Sequence, residues 1–328
     1  MSTFSIMATA KSIPDKVVTN DDLAQIMDTS DEWISRRTGI RRRHVVTTET
    51  NTSLATNVAK QLLAKTHVSP EEIDFIIVAT MSGDQLMPST AAAVQGLIQA
   101  DNAMAFDISA ACSGFSYGLD LLHSLLATHP DSTGMLIGSE ALSKLIDWQD
   151  RTTAVLFGDG AGGLLVTNKQ SADYDGQFLS GKLSTYGADG DSLTMGKIAN
   201  HSPFVSGDAK SDLPLHMDGH RVFDFAIRRV PESIREAVAQ ANLKLSDVDF
   251  FILHQANQRI VKSVARKLKL PFDDRFPINI DEYGNTSAAS EAILLAELVE
   301  DGKIKRGDIL VMTGFGGGLT TGTVVIKY

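Results

Sequence analysis

The residues best suited to chemistry in this chain are Cys112, its single cysteine, together with His254 and Asn285. Such a trio is a recurrent nucleophilic constellation: a thiolate attacks carbonyl carbon while imidazole and carboxamide place protons or hydrogen bonds. Cys112 follows an apolar strand pattern at residues 103–108 and opens a helical stretch at 113–127, with Gly114 and Gly118 allowing close packing. A thiol there faces unpaired N–H groups and the positive end of the helix dipole, which predicts a lowered pKa. The competing reading is structural, since a free cysteine is commonly a small buried hydrophobe. His254 opens the run His254-Gln255-Ala256-Asn257 just past the apolar Phe250–Leu253, and α/β folds gather catalytic groups beyond the carboxyl ends of strands. Asn285 lies in Gly284-Asn285-Thr286-Ser287-Ala288-Ala289-Ser290, which alone reads as an ordinary turn and helix cap. In Gly314-Phe315-Gly316-Gly317-Gly318-Leu319, consecutive glycines let backbone approach a ligand and offer N–H donors to an oxyanion, besides turning the chain into its last strand.

Other motifs read more plainly. Gly158-Asp159-Gly160-Ala161-Gly162-Gly163 matches the dinucleotide fingerprint in letters. It joins a strand pattern at 153–157 to another at 164–167, whereas the fingerprint must open a helix, so Asp159-Gly160 is expected to be a hairpin turn and no nicotinamide site is assigned. His216 and His220 are four apart, but no carboxylate or cysteine completes a metal pattern, so no metal site is expected. Arg36, Arg37, Arg41, Arg42 and Arg43 crowd beside Trp33; arginine forks suit phosphates, and an indole can stack on a base. Arg259, Lys262, Arg266 and Lys269 are spaced 3, 4 and 3, one face of a helix. Such a run is ordinarily a solvated face. Beside a candidate site in an acidic protein it points instead to an acidic partner.

The elements that must position these residues repeat. Residues 73–78 match residues 248–253 as short apolar strands, 175 positions apart, each preceded by a helical pattern at 53–65 and 226–240. Residues 135–137 then match 309–311, and 163–166 match 323–326, in the same order. Two similar α/β halves follow, each burying apolar strands between helices, with domains expected at 1–170 and 171–328. The join is expected in the polar stretch 167–191. The 328 residues, 43% apolar and 21% charged, exclude global disorder. A net charge of −10 makes the chain a poor general ligand for nucleic acid or anionic membrane. One cysteine permits no intrachain disulfide. No apolar run reaches the length of a membrane span, and the opening stretch lacks the basic start of a signal peptide. A soluble, cytoplasmic protein is expected.

Taken together, Asp31-Glu32-Trp33, Arg37-Thr38-Gly39-Ile40, Ala110-Ala111-Cys112-Ser113-Gly114-Phe115, residues 157–163, His254 to Asn257, Gly284 to Ser290 and the terminal glycine run stand in an order that resembles β-ketoacyl-(acyl-carrier-protein) synthase III. That family comprises the condensing enzymes that start type II fatty acid synthesis. The resemblance spans nearly the whole chain and implies a duplicated thiolase-like α/β fold, a homodimer, and acyl-CoA and malonyl-(acyl carrier protein) as substrates. It further implies that Cys112 is the acyl-accepting nucleophile and that His254 and Asn285 bind the malonyl thioester carbonyl through decarboxylation. Backbone N–H groups of Cys112 and Gly317 would hold the oxyanion. Trp33 and Arg151 would clasp the CoA adenine with Thr29 and Arg37 nearby, and Asn257 would meet the pantetheine arm. Arg259, with Lys262 and Arg266, would dock the acidic carrier protein. Met87 falls where some members place a phenylalanine that reaches across the dimer into the partner's acyl pocket; a flexible methionine there leaves the primer open between acetyl and longer or branched groups. No metal or redox cofactor is expected.

Neighbouring families differ at particular residues. Elongating ketosynthases carry a second histidine where Asn285 stands, hydroxymethylglutaryl-CoA synthases use a catalytic glutamate, and chalcone-synthase-like enzymes end in GFGPG where this chain has GFGGG. The alternatives are a thiolase-fold condensing enzyme of polyketide or secondary metabolism, a papain-like cysteine hydrolase, and a catalytically silent carrier-binding subunit. A hydrolase also runs Cys, His, Asn, but its local cysteine signature is missing here and an α/β duplication is foreign to it. The silent subunit has little support, because all three reactive positions are intact.

Overall fold

The apolar opening of the chain forms strand β1 (Ser5–Ser12) in the computed structural model, which describes residues 4–171, 175–200, 202–204 and 210–328. The first three residues of that opening lie outside the described ones. A short antiparallel ribbon of β2 (Lys16–Thr19) and β3 (Arg42–Val45) brackets helices α1 (Asn20–Leu23) and α2 (Asp31–Thr38). Then come α3 (Asn51–Thr66), β4 (Phe75–Ala79), α4 (Thr90–Ile98), β5 (Met104–Ile108), α5 (Gly114–Thr128), β6 (Thr133–Glu140), α6 (Arg151–Ala154) and β7 (Gly160–Thr167). The second half supplies β8 (Gln177–Thr185), a two-residue ribbon of β9 (Leu193–Thr194) and β10 (His216–Met217), α7 (Gly219–Gln240), β11 (Phe250–Leu253), α8 (Gln258–Leu268), α9 (Ile280–Tyr283), α10 (Ser290–Glu300), β12 (Ile309–Gly316) and β13 (Thr320–Lys327). Among the described residues no helix is long and apolar enough to cross a membrane.

The duplication is visible in the sheets. The first is ordered β1-β7-β6-β4-β5 and the second β8-β13-β12-β11. In both, the two outer pairings of the matching strands are antiparallel and the next is parallel: β1/β7, β7/β6 and β6/β4 against β8/β13, β13/β12 and β12/β11. Among the described residues of the two sheets, only β5, parallel to β4, has no counterpart strand. The apolar strands read from sequence as doubly buried are so because helices cover both faces. Leu54, Val58 and Leu62 of α3 and Val94 and Ile98 of α4 cover the first sheet from outside. Val230 and Ile234 of α7, with Val261 and Val264 of α8, cover the second. Between the sheets, Phe115, Leu119 and Leu122 of α5 and Leu294, Leu295 and Leu298 of α10 share one cluster with Ile77, Leu136, Ile252 and Met312. The molecule is therefore five layers, helices alternating with sheets.

Three local expectations change. Residues 153–157 are not a strand. Asp150 accepts from Thr152 N at 2.9 Å and caps the short α6, and Phe157 makes an isolated parallel bridge to Asn285. Asp159-Gly160 is no hairpin: β7 starts at Gly160, and the Asp159 carboxylate accepts from Val46 N at 2.8 Å, Ser143 N at 2.9 Å and Ser143 Oγ at 2.5 Å. The following element is a strand, so the glycine run opens no helix and the dinucleotide reading stays rejected. The polar stretch 167–191 contains β8, whose backbone pairs with β13 despite its small polar residues. Ladder bonds and burial of Phe178 override composition there.

Candidate active site

The two central helices place the chemistry. Each is entered by a tight turn, Ala111–Ser113 before α5 and Ser287–Ala289 before α10. Both turns begin on a residue in the left-handed region, Ala111 at φ 47° and Ser287 at φ 48°. Cys112 sits in the first turn, and the Ser287 hydroxyl of the second donates to its Sγ at 3.3 Å. His254 follows β11 and is fixed by a 2.6 Å contact between its Nδ1 and Ser290 Oγ. Asn285 enters the second turn; its Oδ1 accepts from Ser287 N at 2.9 Å, and no partner of its Nδ2 is found among the described residues. Residues 285–290 thus touch the cysteine from one hydroxyl and the histidine from another. The trio read from the sequence, 173 positions apart at its extremes, is one site.

The glycine run closes over the thiol. A Cβ on Gly316, whose φ is +158°, would stand 3.0 Å from Cys112 Sγ, and one on Gly317 would stand 3.1 Å from the Ala111 Cβ. Phe315 packs edge-on against the His254 ring, centroids 5.1 Å apart.

Burial overturns the expected acidity of the cysteine. Cys112 is 5% exposed, and desolvation pushes its thiol up to about 12, with the buried carboxyls Glu140 and Glu291 adding to the rise and the Ser287 hydrogen bond opposing it. A helix end favours thiolate, but an enclosed site without a cation does not repay the lost hydration. The same enclosure lowers His254 to about 3, so its imidazole is neutral. Burial raises Glu140 to about 7, although Ser82, Met81 N and Thr80 donate to it; the Ser287 hydroxyl, whose hydrogen goes to Cys112 Sγ, stands beside it. Burial raises Glu291 to about 8, with the Ser116 hydroxyl donating to its Oε2 at 2.8 Å. Ser116 in turn accepts from Gly314 N at 3.0 Å, tying this carboxyl to the strand that carries the glycine run.

Sequence reasoning assigned no role to Ser287, Ser290, Glu140, Glu291 or Ser116. The two serines lay inside a motif already singled out. The carboxyls had no local signal, since only the tertiary fold buries them.

The remaining residues divide into those the fold gathers and those it does not. Ser30 caps α2 by accepting from Trp33 N, and the Trp33 ring lies under two guanidinium groups, Arg37 at 4.4 Å and Arg151 at 5.2 Å. Thr29 Oγ1 is buried without a hydrogen-bond partner among the described residues. The five-arginine cluster breaks up. Arg43 is fully buried, donating to Val18 O, Asn20 Oδ1 and Val155 O, while Arg42 pairs with Glu282 at 3.2 Å. Asn257 caps α8 by accepting from Arg259 N at 2.8 Å and donates to Arg37 O at 3.1 Å, which joins the basic helix to the Trp33 corner. Arg259, Lys262 and Arg266 are exposed on α8, as their spacing required. Met87 is 84% exposed and lies outside the site.

A buried cysteine, a neutral histidine and a free carboxamide, set at the seam of a duplicated thiolase-like fold, define an acyl-transferring condensing enzyme. Family models described as 3-oxoacyl-[acyl-carrier-protein] synthase III and as its C-terminal part match residues 106–187 and 238–328. The chain is 55% identical to β-ketoacyl-[acyl-carrier-protein] synthase III of Lactobacillus helveticus, over 99% of this chain and 98% of that one. It is 54% identical to β-ketoacyl-[acyl-carrier-protein] synthase III 2 of Lactiplantibacillus plantarum, over 99% of each. The crystal structure of 3-oxoacyl-[acyl-carrier-protein] synthase III from Aquifex aeolicus superposes with a TM-score of 0.90 at 42% identity, covering 99% of this chain and 100% of that one. The chain belongs to the β-ketoacyl-[acyl-carrier-protein] synthase III family.

Proposed function

We propose that this site joins an acyl-CoA primer to malonyl-(acyl carrier protein), giving 3-oxoacyl-(acyl carrier protein), CoA and carbon dioxide. The observation that carries the reading is the turn at 285–290, which bonds the nucleophile and holds the histidine while leaving a carboxamide donor free. In the first half-reaction Cys112 Sγ bonds to the acyl carbon, the carbon–sulfur bond to CoA breaks, and the thiol proton leaves with CoA. A thiol raised to about 12 requires proton loss to accompany attack. In the second, the malonyl carboxylate departs as carbon dioxide and its bonding pair becomes an enolate. Ser290 Oγ accepts from Gln255 N and, among the described residues, finds no acceptor for its own hydrogen except His254 Nδ1; donated there, it leaves Nε2 as the protonated nitrogen. Nε2–H and Asn285 Nδ2 then donate to the enolate oxygen. The carbanion attacks the acyl thioester, and the oxyanion rests on N–H groups of Cys112 and Gly317 until its collapse expels Cys112 as a thiolate, which takes a proton from solvent to replace the one that left with CoA.

Trp33, Arg37 and Arg151 form the seat for the CoA nucleotide, with Thr29 beside them and Asn257 along the pantetheine arm. Arg259, Lys262 and Arg266 form the landing for the acidic carrier. The chemistry needs only a thiol and hydrogen-bond donors, so no resident cofactor or metal is assigned. A cytoplasmic location fits a reaction that depends on a reduced thiol. A homodimer fits β5, whose outer edge is unpaired among the described residues, and the exposed Leu86, Met87, Leu97 and Met104. Pairing there would carry Met87 into the partner's acyl pocket. The test is intact mass after incubation with a panel of acyl-CoAs, for the native protein and Cys112→Ala, followed by malonyl-(acyl carrier protein). An adduct that needs Cys112 and is discharged as 3-oxoacyl product is expected. No adduct, with the thiol still open to alkylation, refutes the reading.

A further inference from the structure

Helices α7 and α8 pack side by side over the second sheet, and between them they carry cations that the protein leaves uncompensated. Helix α7 has four arginines. Two are neutralised in place: Arg221 by Asp191 at 2.9 Å and Arg229 by Glu232 at 2.9 Å. The other two, Arg228 and Arg235, are exposed, seven residues apart on one face, and in no ion pair among the described residues. On α8, Arg259, Lys262, Arg266 and Lys267 are likewise exposed and unpaired with any described carboxylate. In a chain of net charge −10, six free cations on adjoining helices are not an average surface.

The two rows are physically joined. The Arg235 Nη2 donates to Lys267 O at the far end, and the Arg259 guanidinium lies 5.8 Å from the Phe223 ring at the near end. A cleft of about 580 Å³ runs along α7, lined by Arg228, Arg235, Lys267 and Phe225, with Leu319 in its wall. Leu319 directly follows the glycine run over Cys112. The acids of this cleft are largely spent: Asp189 lies 3.7 Å from Arg221, and Glu232 is held by Arg229, leaving Asp224 without an ion pair among the described residues. From Arg259 to Arg266 the α8 row spans about 10 Å at 1.5 Å per residue, with Lys267 turned toward the α7 cleft, and Arg228 to Arg235 on α7 spans about 10 Å.

We infer that Arg228 and Arg235 of α7 form a second row of the carrier-protein seat, so that one acidic helix lies across both helices rather than along α8 alone. This rests on the reading that an acidic carrier docks at α8. A two-row seat fixes the approach angle of the carrier as well as its affinity, because charges on two helices resist rotation about either.

The experiment compares Arg228→Glu/Arg235→Glu with the native protein and with Arg259→Glu. It measures KM for malonyl-(acyl carrier protein), KM for malonyl-pantetheine, and Cys112 acylation by acyl-CoA. The expected result for the α7 pair is a KM for the carrier raised at least about fivefold, with a weaker salt dependence, and unchanged malonyl-pantetheine use and acylation. If the α7 pair matches the native protein while Arg259→Glu is impaired, the second row is refuted and docking at α8 stands. If both match the native protein, the α8 reading fails and the inference with it. If the α7 pair also loses acylation, Arg228→Gln/Arg235→Gln decides. A carrier-specific rise in KM in that pair supports the second row, and a native KM overturns it.

Discussion

Removing the Ser287 hydroxyl should make Cys112 a poorer nucleophile, because this group is the hydrogen-bond donor found on Sγ, at 3.3 Å. With the thiol at about 12, the thiolate fraction at pH 8 is about one in ten thousand, so reactivity is governed by the little charge the site tolerates. A hydrogen bond to an ionised group is worth about 1.5–3 kcal/mol, and one pKa unit is about 1.4 kcal/mol, so Ser287→Ala should cost about one to two units. At fixed pH that is a tenfold to hundredfold loss of thiolate, by the same conversion. The assay is the rate of iodoacetamide alkylation followed by intact mass from pH 7 to 10. Cys112 is the single cysteine, so no other thiol contributes. The native protein should gain about tenfold per pH unit without a plateau, and the variant should run parallel below it. Ser287 has φ 48°, which alanine tolerates poorly. Ser287→Gly, which removes the hydroxyl without that strain, should behave the same way. A plateau below pH 9 in the native protein would restore the dipole-activated thiolate. Equal rates in the variants would show that Ser287 serves Glu140 and not the thiol.

Gly316→Ala should abolish acylation, since its Cβ would fall 3.0 Å from Cys112 Sγ and 2.9 Å from Cys112 Cβ; an intact-mass adduct at the native rate would refute this. Asn285→Ala should keep acylation by acyl-CoA yet lose condensation by about 10²–10³-fold, as expected for loss of one oxyanion donor; normal carbon dioxide release would remove its assigned role. Glu291→Gln should change the pH dependence of stability. The folded carboxyl titrates near 8 and the unfolded one near 4.5, so the folded state holds the extra proton and native stability declines as pH rises through that window. Glutamine keeps an acceptor for Ser116 without the ionisation. Urea melts should therefore show little difference at pH 4.5 and a gain on the order of a few kcal/mol at pH 8.5; a pH-independent difference would contradict the shifted carboxyl.

The parts legible in the sequence are those fixed by short-range pattern. Phe75–Ala79 and Phe250–Leu253 announce themselves because a strand covered on both faces has only apolar positions. Their repetition marks the two-half architecture, and Cys112 and His254 stand out because each follows such a strand, whereas Asn285 shows only as part of a turn before a helix. What was not legible depends on contacts made far along the chain. Residues 153–157 carry a strand-like pattern, but Asp150 caps a helical turn there and Phe157 is needed as a bridge to Asn285. Arg43 looked like part of a phosphate-binding cluster until the fold enclosed it among Val18, Asn20 and Val155. The thiol acidity departs from the sequence expectation for the same reason. A helix N-terminus is visible in sequence, whereas the two buried carboxyls and the loss of water around Cys112 are not.

The duplication also explains why the roles divide as they do. The turns Ala111–Ser113 and Ser287–Ala289 begin 176 positions apart, share a left-handed first residue and precede the paired central helices. They are the same structural position in the two halves, meeting at the seam between the sheets. One copy carries the thiol; its counterpart, Ala288, is inert, and the neighbouring Ser287 and Ser290 bond to the thiol and to His254. At the strand ends the asymmetry is reversed: His254 follows β11, while Thr80 follows β4 and hydrogen-bonds to buried Glu140. Each half thus keeps a reactive group where the other keeps a supporting one. A nucleophile and a set of enolate donors need opposite surroundings, a close covering of backbone for the first and unspent hydrogen-bond donors for the second. Two copies of one scaffold, diverged at equivalent turns, can satisfy both demands across a single seam.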